Sequence, residues 1–285
     1  MLASMPPADL RADTTATAGA LTLGTAWDFL LPSGGVVMTA ALRAAAAAVD
    51  DRSARLLSAT AIFHEPVAPG PIVVAPAVVR RGGSAVQTRT HLHAPGALGC
   101  EVLATFARDR PGPDVIASAP PSVPPPDDCP DLTVTGSPLL RARFFANLEV
   151  RLAEGTPLWA PGFAAGPARY LRWFRYRVPQ TVDGQLDRLA LPPIADTMPA
   201  ALTQAIGPGD YRFYAPSVDL TLHVVDDTDR EWVLVAATLG RARSGWATAR
   251  FEMWDDRGCY LAAGCQTMYL RGVAGTPPTV DASGR

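Results

Sequence analysis

Lysine is missing from all 285 residues, so each of the 25 basic side chains is an arginine. A cationic contact to a phosphate must therefore come from a guanidinium, or else from a backbone N–H. The formal charge of −2 leaves no basic excess to neutralise a nucleic-acid backbone, and no nucleic-acid partner is expected. Histidine is scarce, and His64, His91, His93 and His223 form no H-E-x-x-H or comparable metal spacing. His64, His91 and His93 read as structural or solvated residues, and neither a metal nor a cofactor is expected. The four cysteines, Cys100, Cys129, Cys259 and Cys265, contain no C-x-x-C pair and read as buried free thiols. G-x-S-x-G, the P-loop and G-x-G-x-x-G are absent, which excludes an α/β-hydrolase nucleophile and the two common nucleotide cradles.

Long apolar runs are also lacking. The longest, from Gly34 to Val49, is interrupted by Arg43 and is too short to span a bilayer. The opening Met-Leu-Ala-Ser-Met-Pro-Pro has neither a basic nor an apolar leader segment, so no signal peptide is suggested and a cytoplasmic location is the default expectation.

What the chain does contain is a repeat. Ser33-Gly34-Gly35 opens an alanine-rich helical stretch to Val49, and alternating strands start at Ser58, Pro71, Ser84 and Cys100. A helical stretch around Asp196 is followed by strands starting at Ser217, Trp232, Trp246 and Tyr260. The matched starts are separated by 159, 161, 162 and 160 positions, the mark of a domain-sized internal repeat. One helix and an antiparallel meander, twice over, is the order expected of an α+β chain made of two fused hotdog folds, each a sheet wrapped around an apolar helix. With 48% hydrophobic residues there is ample material for both cores.

The expected organisation is a loose arm over 1–20, a first repeat over 21–110, a linker over 111–165, a second repeat over 166–273 and a tail over 274–285. Thr22–Leu30 and Tyr170–Val178 are candidate first strands of the two copies. Val86, Thr88, Thr90 and Leu92 alternate with Gln87, Arg89, His91 and His93. Eight prolines from Pro111 to Pro130 forbid a helix or central strand there, and Leu139–Glu154 reads as a short helix. Leu186–Ile206 is expected to be helical but irregular, because Pro192, Pro193 and Pro199 interrupt it. Along Ser217–Val225, alternation puts Ser217, Asp219, Thr221 and His223 on one face, with Val218, Leu220, Leu222 and Val224 on the other.

Ser33-Gly34-Gly35 with its helix, Phe63-His64-Glu65-Pro66-Val67, Val79-Arg80-Arg81-Gly82, Ala215–His223 and Ala262–Arg271 together resemble the TesB-type acyl-CoA thioesterases (thioesterase II). The resemblance spans about 22–108 and 168–272. It implies hydrolysis of an acyl-CoA, and a site made of a helix aspartate, a strand hydroxyl and a glutamine on the last strand. These fall on Asp196, Ser217 and Gln266. Serine stands where the family often has threonine, and no glutamine follows Gly34-Gly35, unlike in some members.

The chemistry is consistent with that assignment. A thioester is activated enough that a positioned water and a carbonyl polariser suffice, and a carboxylate either takes the water's proton or attacks directly. Backbone N–H groups at Gly34-Gly35 are candidate oxyanion donors, and the two glycines would admit an acyl chain close to the backbone. Arg80, Arg81, Arg241 and Arg243, at equivalent hairpins, are candidate contacts for the phosphates of coenzyme A. The plainer readings are a helix cap before Pro199 for Asp196, a strand-edge hydroxyl for Ser217, a hydrogen-bonded strand amide for Gln266, and solvated turns for the arginines. A silent acyl-binding protein is one alternative. An enoyl-CoA hydratase is another, disfavoured because Ala201 replaces the histidine such enzymes carry five residues after the aspartate. A homodimer or higher homo-oligomer is also expected.

Overall fold

The computed structural model describes residues 6–276. One eleven-stranded antiparallel sheet dominates it. In the first half, β1 (Ala20–Leu23), β2 (Arg55–Phe63), β3 (Gly70–Arg81), β4 (Ala85–His93) and β5 (Cys100–Ala107) surround helix α2 (Gly34–Val49), which follows the short α1 (Leu10–Thr14). The second half contains α3 (Arg143–Ala146), β6 (Leu148–Glu154), β7 (Arg169–Tyr176), and a two-residue hairpin of β8 (Thr181–Val182) and β9 (Gln185–Leu186). Helices α4 (Leu191–Ala195) and α5 (Pro199–Ile206) come next, followed by β10 (Arg212–Tyr214), β11 (Ser217–Val224), β12 (Val233–Arg243), β13 (Trp246–Asp255), β14 (Tyr260–Tyr269) and β15 (Arg271–Ala274). The strand order β1-β3-β4-β5-β2-β11-β14-β13-β12-β7-β6 is two copies of one five-strand order joined back to back through β2 and β11, with β6 added at the outer edge of the second. This is a double hotdog, α+β.

Side-chain size explains why α2 can be swallowed by its sheet. Val36, Val37, Met38, Ala40, Ala41, Leu42, Ala45 and Val49 are all buried, and the alanines let β3, β4 and β5 close around the helix. Its counterpart in the second half is broken. Pro192 and Pro193 occupy the first turn of α4, and Pro199, which has no N–H, restarts the chain as α5. Asp196, Thr197 and Met198 occupy the break, where Thr197 Oγ1 donates 2.8 Å to the Ile194 carbonyl.

Several expectations are corrected. The arm is not loose: Leu10 and Thr14 are buried, and Trp27 Nε1 donates 2.9 Å to Asp13. The first strand stops at Leu23, because Trp27 and Phe29 turn inward to pack on Phe144. Leu139–Glu154 is only briefly helical before becoming β6, whose Leu148, Val150 and Leu152 face the core. The proline-rich segment lies on the outer face of the second half, where Val123 and Cys129 pack near Trp173, Trp232 and Trp254. There the Pro124 carbonyl accepts 3.1 Å from Trp173 Nε1. All four cysteines are free, but Cys265 is exposed and Cys259 half-buried, since β14 turns Gln266 inward and hence Cys265 outward. The expected tail begins inside β15, and its residues from 277 on lie outside the described residues. Among the described residues no helix is long and apolar enough to cross a membrane.

Candidate active site

Asp196 lies in the break between α4 and α5, 8% exposed, facing the N-terminus of α2 from the other half. Its two oxygens are held from opposite sides. Oδ1 accepts from Ser217 Oγ at 2.6 Å and from Gln266 Nε2, which also donates to the Ser217 oxygen. Oδ2 accepts from the Gly35 N–H at 2.9 Å and from Ser33 Oγ at 3.1 Å. The fold thus brings Asp196, Ser217 and Gln266 into one hydrogen-bonded group, completed by two residues of the first half.

Local structure explains how each side chain arrives. Gln266 is directly opposite Leu220 on the core face of the β11–β14 pair. Plain alternation would turn Ser217 away from that face. The register instead shifts between Ser217 and Asp219, so two residues of β11 oppose one step of β14, and Ser217 pairs with buried Met268. This β-bulge re-aims the hydroxyl into the site, correcting the face assigned from the sequence. At α2, a Cβ on Gly35 would overlap the Pro192 carbonyl, whereas one on Gly34 would lie 2.9 Å from the Phe63 ring and 3.1 Å from Asp196 Oδ2. The glycines let α2 approach α4, so the Gly35 N–H reaches the carboxylate. That N–H is therefore engaged with Asp196 and is not a free oxyanion donor.

Burial pushes the Asp196 carboxyl above its ordinary value of 3.8, while Ser217, Gly35, Ser33 and Gln266, in that order, pull it back by hydrogen-bonding the anion. Tyr214 on β10 is half-buried, and burial together with the negative charge of Asp196 raises its phenol. The buried Oε1 of Gln266 has no hydrogen-bond partner among the described residues.

The arginine pairs fall at opposite ends of the sheet. Arg81 donates 3.0 Å to the Val49 carbonyl, at the C-terminal end of α2, roughly 20 Å along the helix from Gly35. Arg80 and Arg81 are thus remote from Asp196, and Arg81 serves the helix end. The Arg241–Arg243 end of β12 is on the same sheet end as Ser217: Ala242 pairs with Ala247, Ala247 with Met268, and Met268 with Ser217. Three strand spacings make that separation roughly 14 Å.

One site-forming residue escaped the sequence reading: Ser33 was legible only as a helix start.

The acyl-CoA thioesterase N-terminal domain model matches residues 25–108 and the C-terminal domain model matches 126–270, together most of the chain. The chain belongs to the acyl-CoA thioesterase family. Solved structures similar to this thioesterase-family chain include a hot dog protein from Alicyclobacillus acidocaldarius, with a TM-score of 0.77 and 20% identity over 92% of this chain and 97% of that one. An acyl-CoA thioesterase II (TesB2) from Mycobacterium marinum aligns with a TM-score of 0.70 and 22% identity, over 92% and 98%. A tesB protein from Mycobacterium avium subs paratuberculosis aligns at 0.73 and 16%, also over 92% and 98%. At these identities the structural likeness speaks for the fold alone. No curated protein sequence matches the chain.

Proposed function

We propose that the protein hydrolyses acyl-CoA thioesters to a free carboxylic acid and coenzyme A, with Asp196 as general base. The observation that carries this reading is the buried Asp196 carboxylate, held by four donors at the seam between the halves. The unpartnered Gln266 Oε1 beside it supports a water-positioning role, because it can accept one hydrogen of the attacking water. That water adds through oxygen to the thioester carbonyl as Asp196 takes its proton. The tetrahedral intermediate then collapses, the C–S bond breaks, and the proton passes from Asp196 to the departing sulfur. The carboxylate is regenerated.

The developing oxyanion needs a donor other than Gly35. The Gly34 N–H is the first of α2 and has no acceptor within the helix, so it and the macrodipole behind it are proposed for that role. Arg241 and Arg243 are the proposed contacts for the coenzyme A phosphates. Hydratase chemistry fits poorly: Asp196 has Ser33, Gly35, Ser217 and Gln266 as its partners, and buried Ala201 is at the position such enzymes give to histidine.

The test is to incubate the purified protein with acyl-CoAs of graded chain length and a thiol-reactive dye. Release of free thiol that scales with enzyme supports hydrolysis. Binding without thiol release would instead identify a silent acyl-binding protein.

A further inference from the structure

We propose that Ser33 is a positioning residue for Asp196, supplied by the first half to a reaction whose other proposed side-chain groups belong to the second. The inference rests on the thioesterase reading for its kinetic arm only. Ser33 is the N-cap of α2, where a serine ordinarily accepts a hydrogen bond from the second or third N–H of its own helix. Here the side chain makes no such bond. The Gly35 N–H it would be expected to satisfy is taken by Asp196, whose carboxylate caps the helix from across the seam. The Ser33 hydroxyl is thereby released from capping, and it donates 3.1 Å to the same oxygen of Asp196.

Three features make this more than a helix start. Ser33 is buried away from bulk solvent, and Asp196 is the acceptor that orients its hydroxyl. Its own N–H is tied to the Trp27 carbonyl at 3.3 Å, which anchors the residue independently of the hydroxyl. The two oxygens of Asp196 each receive two donors, a set that fixes both rotation and tilt of the carboxyl plane. Without Ser33, Oδ2 would keep one N–H, and the plane would be free to swing about the Ser217 side.

The surroundings make the hydroxyl's effect on Asp196 readable. The first turn of α2 carries no acidic residue, Phe63 is the β2 side chain nearest the Gly34 start, and the partners on β11 and β14 are the uncharged Ser217 and Gln266. Tyr214 on β10 is a titratable group whose phenol is raised by burial and by the Asp196 charge. Burial lifts the Asp196 carboxyl, and Ser33 is one of the four donors that lower it. Removing the hydroxyl must therefore move that carboxyl to higher pH.

Ser33→Ala and Ser33→Gly both delete the donor, and glycine is the better tolerated of the two at an N-cap. Each should lower kcat about tenfold while changing KM less than about twofold, because the lost bond is one to a charged group. The acidic limb of kcat/KM should shift to higher pH, and Ser33→Thr should restore both. In parallel, the Asp196 side-chain carboxyl, assigned with Asp196→Asn, is titrated by 13C NMR in wild type and Ser33→Gly. An upward displacement in Ser33→Gly supports the proposal even if wild type releases no thiol, a result that would remove the thioesterase reading alone. Unchanged kcat with an unmoved Asp196 titration, whatever happens to the melting temperature, would reduce Ser33 to a helix cap and overturn the proposal.

Discussion

Thr60 and Thr221 are direct cross-strand partners where the halves join, their Oγ1 atoms 3.0 Å apart. They are 161 positions apart, the repeat spacing itself, so each is the other's equivalent and a pseudo-two-fold axis passes between them. That axis generates a second place where a site would be. Leu56 corresponds to Ser217, since both precede a register shift in their strand, and Ala104 corresponds to Gln266, since the two lie opposite Ala59 and Leu220. The hydroxyl and carboxamide of the second half are thus matched by an isobutyl and a methyl in the first. One site per chain is proposed, and the first half contributes the Ser33 hydroxyl and the Gly35 N–H to it.

The glycines that let the halves meet should be sensitive in different ways. Gly35→Ala must push α2 from the Pro192 carbonyl, a backbone clash, and should destabilise the fold by about 1–3 kcal/mol. Gly34→Ala meets the Phe63 ring and the carboxylate, so its main effect should be on turnover. Denaturant melts and thiol release on both variants check this. Equal melting of Gly35→Ala and wild type would contradict the packing argument.

Ser217→Ala and Gln266→Ala should each lower kcat/KM by roughly ten- to a thousandfold, as expected for groups that position water or orient a carboxylate. Full activity in both would remove them from the site.

The pH dependence has a definite sign. Asp196 must be ionised to accept a proton, and burial raises its carboxyl above 3.8. Activity should therefore fall, as pH decreases, through a limb lying above the ordinary aspartate range. A kcat/KM profile that stays flat to pH 3.8 would contradict this.

The arginine pairs should now separate. Arg241→Gln with Arg243→Gln should raise KM with little change in kcat, an effect that fades as salt screens it. Arg80→Gln with Arg81→Gln should leave KM unchanged, because Arg81 serves the far end of α2. Kinetics at low and high ionic strength decide between the pairs.

The sequence carried the repeat, the long helix and most strands, because alternation and turn residues are local. It also carried Asp196, Ser217 and Gln266 as candidates, through a resemblance. It did not carry the face of Ser217, since a bulge is a property of pairing between β11 and β14 and not of either strand alone. Nor did it reveal that Asp196 caps α2, a contact between residues 161 positions apart. The helix expected through Leu148–Glu154 hid an alternation that was present: Leu148, Val150 and Leu152 against Glu149 and Arg151. A strand forms there because β7 offers it a partner.

The most direct test of the central claim is kcat/KM of Asp196→Asn on the best acyl-CoA of the panel. The amide is near-isosteric but cannot take the water's proton. The account predicts a loss of at least about a thousandfold, roughly 4 kcal/mol of transition-state stabilisation, in a protein that remains folded by circular dichroism. Retention of more than about a tenth of wild-type kcat/KM would contradict it.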